Sequence, residues 1–380
     1  MDNKLIYEFS SQKTDGDASL SNLLGGKGAN LAEMSKLGIQ VPPGFTITTE
    51  ACNYFSKNKK LPDGLKEEII NYVSNLESLS QKSFGNSESP LLLSVRSGGM
   101  ISMPGMMDSI LNIGLNDDNV QNLAKAFNDE RFALDSYRRL IQMYSNVVLG
   151  VEMDRFEAVI ANKKRMDNVT SDADFNVEQL EWIINAYKNT VERFTNSPFP
   201  QDPHEQLLGA IEAVFSSWQN KRAITYRKIN NIPDSLGTGA TIQTMVFGNL
   251  NDKSGTGVAF TRNPSNGSKE LYGEYLINAQ GEDVVAGIRT PHPIKNDDSV
   301  EQESLESKFP NAYKEIKEIA SKLETHFKEV QDLEFTIENE KVYLLQTRKA
   351  KRTAQASIKI AIDLHLSLIH ISEPTRLWHI

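Results

Sequence analysis

The 380-residue sequence contains a single cysteine, Cys52. An internal disulfide framework is excluded, and the chain suits a reducing compartment. Long apolar runs are missing too. Nothing approaches the roughly 20 consecutive apolar residues of a membrane span, and "MDNKLIYEF" at the start lacks the apolar core of a signal peptide. Positive charge is in deficit: 41 Lys and Arg against 50 Asp and Glu leave a net charge of −9. General affinity for nucleic acid or an anionic membrane is therefore not expected. The expectation is a soluble cytoplasmic protein in which any phosphate binding is the local work of a few placed cations. The length allows two or three domains, each with its own core, and no internal repeat or low-complexity segment is present.

Two familiar phosphate motifs are also absent. "LLGGKGANLAEM", residues 23–34, sets a lysine among glycines ahead of a helical pattern, but the P-loop needs a glycine six residues before the lysine and a hydroxyl after it. Ser21 and Gly28 stand there instead. The dinucleotide fingerprint fails at Leu31, where its third glycine belongs. What remains is an anion site in outline: Leu31, Met34 and Leu37 share a helical face, Gly38 ends the run, and the unpaired amides near Gly28 face whatever Lys27 faces. A flexible loop with a solvated lysine is the competing reading.

Short strands and glycine or proline turns run to about Leu115, as in "VPPGFTITT" and "PLLLSVRSGG". Residues 116 to about 204 have helical spacing and almost no glycine. Asp202, Pro203 and Glu205 mark a helix start, expected to run on through "LLGAIEAVFSSWQNKRAITYR". Strands and glycines return beyond residue 236. A long helix then carries one apolar stripe, from Phe309 through Ile316, Ala320 and Leu323 to Phe327 and Val330.

"QDLEFTIENEKVYLLQTR", residues 331–348, reads as a hairpin. A three-residue loop at Asn339, Glu340 and Lys341 sets Phe335 opposite Leu345 and Ile337 opposite Tyr343 on the buried side. Asp332 then lies opposite Arg348, and Glu334 opposite Gln346, on the other face. A two-residue loop would mix the faces. Two acids and an amide on rigid strands suit Mg²⁺, which takes one or two carboxylates together with substrate phosphates. An exposed hairpin face with an Asp332–Arg348 ion pair is the alternative. Arg96 ends the apolar strand "LLLSV" beside Ser97, Gly98 and Gly99, delivering a cation to a strand mouth where a ligand can approach the backbone; capping of nearby carbonyls is the other reading. "SGTGVAFTR" offers a further glycine loop, with Arg262 at its far end. Met100, Met103, Met106 and Met107 read as adaptable packing or a hinge.

Together "LLGGKGANLAEM", "VPPGFTITTEAC", "SVRSG" with "SMPGMMDSILNIGLN", "RFALDSYRRLIQMYS", "GTGVAFTRNPS", "GEYLINAQGEDVVAGIRTP" and "EFTIENEKVYLLQTR" resemble the N-terminal nucleotide-binding part of the pyruvate, phosphate dikinase family. The resemblance covers residues 4 to 364. It implies an α/β (α+β) fold of the two-lobe ATP-grasp type with a helical insert. Residues 1–115 and 205–246 would form the first lobe, 116–204 the insert, 247–352 the second lobe and 353–364 the start of a linker helix. It further implies that Lys27 and Arg96 hold the triphosphate, that Asp332, Glu334 and Gln346 hold Mg²⁺ and nucleotide, and that Arg348 stands beside them as a catalytic group. Gln243 and Met245 would lie near adenine, Gly255, Thr256 and Gly257 would form a loop over the phosphates, and Glu282 would be a further nucleotide contact.

In the family, ATP, phosphate and pyruvate become AMP, diphosphate and phosphoenolpyruvate by way of a phosphohistidine on a swivelling domain. The implied partners are ATP, phosphate, that phosphohistidine domain and a pyruvate-binding barrel, in a homodimer at full length. None of the six histidines, His204, His292, His326, His365, His370 and His379, lies in the family's Thr-Ser-His context. Gly99 and Met100 depart from the family after "SVRSG", and "HLSLIHISEPTRLWHI" reads as a tail foreign to it from about residue 365, a genuine divergent tail being the alternative. A pyruvate, water dikinase relative and a non-catalytic nucleotide-binding fragment are the alternatives.

Overall fold

The computed structural model describes residues 4–85, 88–286, 289–296 and 303–366, the side chains of 282, 285 and 286 excepted. The chain divides into two compact units: residues 1–36 with 43–245, and residues 37–42 with 246–380.

The first unit comprises β1 (Ile6–Phe9), α1 (Ser21–Lys36), β2 (Gly44–Ile47), α2 (Thr49–Asn58), α3 (Leu65–Ser80), β3 (Leu93–Gly98) and β4 (Ser109–Ile113), then helices α4 (Val120–Phe127), α5 (Glu130–Val147), α6 (Met153–Asp167), α7 (Val177–Thr195), α8 (Pro203–Ser217) and α9 (Lys221–Ile229), and finally β5 (Gly239–Thr244). Its strands form one antiparallel sheet in the order β1-β2-β5-β3-β4. Alternation sorts the central strands into two faces. Phe45, Ile47, Leu93, Val95, Ala240 and Ile242 are fully buried on one. Gly44, Thr46, Ser94, Arg96, Gly98, Gly239, Thr241 and Gln243 share the other, and the register aligns Arg96 with Thr241 and Ser94 with Gln243.

The helix expected to run unbroken from Asp202 to Arg227 is two helices. Asp202 caps the start as read, its Oδ1 accepting from the N–H groups of His204 (2.7 Å) and Glu205 (3.0 Å). At the other end Trp218, Gln219 and Asn220 donate to carbonyls three residues back, a tightened turn that ends α8. The turn lets the Trp218 ring bury beneath the Arg227 guanidinium, 4.1 Å from its centroid, while its indole N–H donates to Asp234 O at 3.0 Å.

The second unit adds β6 (Gly255–Phe260), β7 (Tyr272–Ile277), α10 (Gly281–Ala286), β8 (His292–Pro293), α11 (Leu305–Lys308), α12 (Pro310–Phe327), β9 (Gln331–Glu338), β10 (Lys341–Lys349) and α13 (Ala354–Leu366). Its antiparallel sheet runs β10-β9-β6-β7-β8. Leu333, Phe335, Ile337, Val342 and Leu344 are fully buried on the face that meets the α12 stripe of Ile316, Ala320 and Leu323. Val330 is not on that helix, as the stripe suggested. It lies just beyond α12 and packs with Ala350, Ala356, Ile360 and Leu364, which seats α13. Residues 37–42 cluster with this unit, where Leu344 N–H donates to Gln40 O at 2.9 Å.

The hairpin turn corrects the expected register. Lys341 pairs with Glu338, so the loop has two residues, Asn339 and Glu340, both at positive φ (48° and 67°). This primed turn matches the twist of the strands, which the sequence reading undervalued because no glycine marks it. Leu344 therefore faces Phe335, and Val342 faces Ile337. A shift between Leu344 and Gln346 then absorbs one residue and restores Glu334 opposite Gln346 and Asp332 opposite Arg348. The bulge reconciles a two-residue loop with unmixed faces.

Candidate functional site

In the first unit the site begins with glycines that let two backbones touch. Gly25 interrupts α1 at φ 68°, ψ 165°. A Cβ there would stand 1.7 Å from Gly98 O, and Gly26 N–H donates to Gly99 O at 3.0 Å. A Cβ on Gly28 would come within 2.6 Å of Thr46 Oγ1, so α1 lies against the glycine and threonine face of the sheet. Lys27 is carried into that contact: its own Cβ lies 3.0 Å from where a Cβ on Gly98 would be. Arg96, two residues before Gly98, projects from the same face and is half-buried. The structure thus brings Lys27 and Arg96 to one region of this unit. Gln243 is buried on that face, opposite Ser94, whose Oγ donates to Gln243 O at 3.3 Å. Met245 follows β5, its N–H donating to Leu92 O at 2.9 Å, and is the last residue of the unit.

In the second unit Asp332 and Glu334 share one face of β9, with Arg348 and Gln346 opposite them on β10. Arg348 Nε donates to Asp332 Oδ2 at 2.7 Å, and Gln346 Nε2 donates to Glu334 Oε1 at 2.9 Å. Burial raises the Asp332 carboxyl above the ordinary aspartate value, although Arg348 pulls it back down; Glu334 adds to the rise. The groups present are hard oxygen donors on a fixed strand, the chemistry a small divalent cation requires. Among the described residues no cluster of three or more His, Cys, Asp or Glu could hold a metal by itself. A cation here would complete its shell with oxygens of a bound ligand.

The glycine loop at Gly255, Thr256 and Gly257 is a correction. These residues are the first half of β6, in the middle of the sheet, between β9 and β7. Gly257 is needed for packing, since a Cβ there would meet Glu274 O at 2.5 Å and Phe335 Cζ at 2.6 Å. Thr256 does face the Asp332 side, where its Oγ1 comes 3.4 Å from Thr336 Oγ1. Arg262 is a buried structural arginine: Nε and Nη2 reach Glu324 Oε1 at 2.9 and 2.8 Å, and Nη1 reaches Asp363 Oδ2 at 2.9 Å. The Glu282 side chain lies outside the described residues. Met103 is buried while Met100 is exposed.

Sequence reasoning passed over Glu338, although strand alternation places it in the row of Asp332, Glu334 and Thr336. Its Oε2 accepts from Phe247 N–H at 2.6 Å and so fixes the chain just past Met245.

The architecture is a mixed helix-and-sheet fold with two antiparallel sheets, of the ATP-grasp type of nucleotide-binding protein. The family described as "Pyruvate phosphate dikinase, AMP/ATP-binding domain" matches residues 21–84, 57–312 and 295–365, and the chain belongs to it. It is 51% identical over 366 residues to a protein of Rhizobium meliloti (strain 1021) named "Pyruvate, phosphate dikinase", covering 95% of this chain and 41% of that protein. A protein of the same name from Clostridium symbiosum is 52% identical over 363 residues, with 95% of this chain and 40% of that one covered. "Pyruvate, phosphate dikinase 1, chloroplastic" of Arabidopsis thaliana is 48% identical over 362 residues, covering 95% and 37%. The chain thus spans about two fifths of the length of the curated relatives it matches. No described helix is long and apolar enough to cross a membrane.

Proposed function

We propose that this chain is the ATP-binding, phosphoryl-donor part of a pyruvate, phosphate dikinase, with Mg²⁺ held at Asp332, Glu334 and Gln346. The observation that carries the reading is the pairing across β9 and β10 of two carboxylates, an amide and an arginine on one sheet face. Residues 1–115 and 205–246 would be the first ATP-grasp lobe, 116–204 its helical insert and 247–352 the second lobe. Lys27 and Arg96 neutralise phosphate charge, an interaction that strengthens as charge shifts during phosphoryl transfer. Arg348 restrains Asp332 and is a third cation for the same purpose. Gln243, Met245 and Thr256 contribute to nucleotide binding. When bound, Mg²⁺ would supply Lewis-acid neutralisation of phosphate oxygens.

No general base is required of this chain, because the phosphoryl acceptor is a histidine of the longer protein. Pyruvate, phosphate, the phosphohistidine and barrel domains and the homodimer belong to that longer protein. Phosphate rather than water as co-substrate follows from "SMPGMMDS" and "YGEYLINAQGEDVVAG".

Calorimetric titration of ATP with and without Mg²⁺ tests the reading. Binding should depend on Mg²⁺ and weaken about tenfold or more in Glu334→Ala, the loss expected for one charge-assisted contact. Mg-independent binding, or binding unaffected by the substitution, would remove the metal site from β9.

A further inference from the structure

Buried side-chain polar groups are almost always hydrogen-bonded, because an unpaired one has given up water for nothing. Gln280 breaks this rule at both ends. It is 4% exposed, and neither Oε1 nor Nε2 has a partner among the described residues. Its backbone is well held: its N–H donates to Asp283 Oδ2 at 2.9 Å, and the preceding Ala279 N–H donates to Gly248 O at 2.9 Å. Asn249, next to Gly248, also keeps a buried Oδ1 with no partner among the described residues. Two carboxamides flanking one backbone hydrogen bond are therefore both left with unused capacity.

Their place along the sheet indicates what would use it. Ile277, at the end of β7, pairs with Gly255, which pairs with Ile337. Gln280 and Asn249 thus gather at the Glu338 end of β9, where Glu338 holds Phe247. That is four residues, roughly 13 Å, along the strand from Glu334. A Cβ on Gly281 would lie 3.9 Å from Thr256 Oγ1, which sets the start of α10 on the face that carries Thr256, Thr336 and Glu334. A nucleoside triphosphate whose phosphates engage a cation at Asp332 and Glu334 can place its base at this far end.

We propose that Gln280 is a specificity-determining residue that reads the adenine edge. A carboxamide offers a donor beside an acceptor, and adenine answers with its 6-amino group beside a ring nitrogen. This rests on the ATP reading above. The test is calorimetry on the 380-residue chain with Mg²⁺ and four probes: ATP, purine riboside triphosphate, which lacks the 6-amino group, 2′-deoxy-ATP and inorganic tripolyphosphate. The unsubstituted protein should prefer ATP to purine riboside triphosphate by about tenfold or more. Gln280→Leu should bind the two alike while tripolyphosphate affinity is unchanged and the thermal midpoint is no lower, since an apolar side chain leaves no orphaned amide. Gln280→Met is the second variant should leucine fit poorly.

Undiminished ATP preference in both variants would overturn the proposal and leave the ATP reading standing, the amide then serving only packing or water. Parallel loss of tripolyphosphate affinity would overturn it in favour of a structural role. Loss of discrimination against 2′-deoxy-ATP alone would move the contact to the sugar and overturn the base assignment. An unsubstituted protein that binds tripolyphosphate but shows no preference for ATP would overturn it as well, and failure to bind ATP at all would overturn the proposed function itself.

Discussion

At the scale of single residues, charge in this protein is used in two ways. Arg262 and Glu324 form a buried pair, flanked by the half-buried Asp363, whose worth lies in mutual pairing, because removing either buried member strands the other in low dielectric. Asp332 and Glu334 instead face partners across the hairpin, Arg348 on Asp332 and Gln346 on Glu334, and in the proposed function these carboxylates hold a cation. A titration consequence follows at Glu329. Burial alone would raise its carboxyl, but hydrogen bonds from Arg352 and Lys349 and from Val330 N–H bring it from the ordinary 4.5 down to about 2. A depressed folded-state value adds stability that is fully present above pH 4.5 and is lost as pH falls toward 2. The thermal midpoint of Glu329→Gln should lie below that of the unsubstituted protein at pH 7, and the gap should close across that window. A gap that stays constant down to pH 2 would show that the carboxylate's charge contributes nothing. The strand positions of Arg96 and Asp332 were legible in the sequence, because the period of two fixes which side chains share a sheet face whatever those side chains then do. Gln280 was not legible, since only neighbours distant in sequence decide whether an amide is satisfied.

At the scale of elements, the turn between β9 and β10 decides which side chains meet. Glu340 holds φ 67° there, a conformation costly for any residue with a Cβ, in a two-residue turn that prefers asparagine followed by glycine. Glu340→Gly should stabilise the chain by up to about 1 kcal/mol in urea unfolding, the relief of left-handed strain exceeding the added freedom of the unfolded chain. An unchanged or lower midpoint would contradict the strain argument. The same turn explains why hydrophobic alternation located the acid pair correctly and the buried pairs incorrectly. Alternation constrains faces, whereas register depends on loop length and on bulges that leave no compositional mark. The α8–α9 break has a similar origin. Residues 218–220 have no helix-breaking composition, and it is burial of Trp218 against Arg227 that ends the helix.

At the scale of the whole molecule, the chain is two sheet-based units: Lys27 and Arg96 lie in one, and the paired Asp332 and Glu334, with Arg348, lie in the other. On the function proposed above the acceptor histidine belongs to the longer protein, so the 380-residue chain should form no phosphoenolpyruvate from ATP, phosphate and pyruvate, a result checked by coupled assay of the purified protein. Detectable phosphoenolpyruvate would sink that division of labour. What the sequence by itself determined is the class of chemistry. Net negative charge with isolated cations among glycines, an acid pair at strand spacing and long family motifs are all local properties, carried by composition and by positions a few residues apart. The tertiary structure decided the rest. It showed that Gly25 admits the Gly98 backbone and Gly28 the Thr46 side chain, that Gly255 to Gly257 are a central strand rather than a loop, and that Gln280 lies buried with its amide unpaired among the described residues. Each of these depends on which distant backbone fills the space beside a residue, and that is settled only when the chain packs.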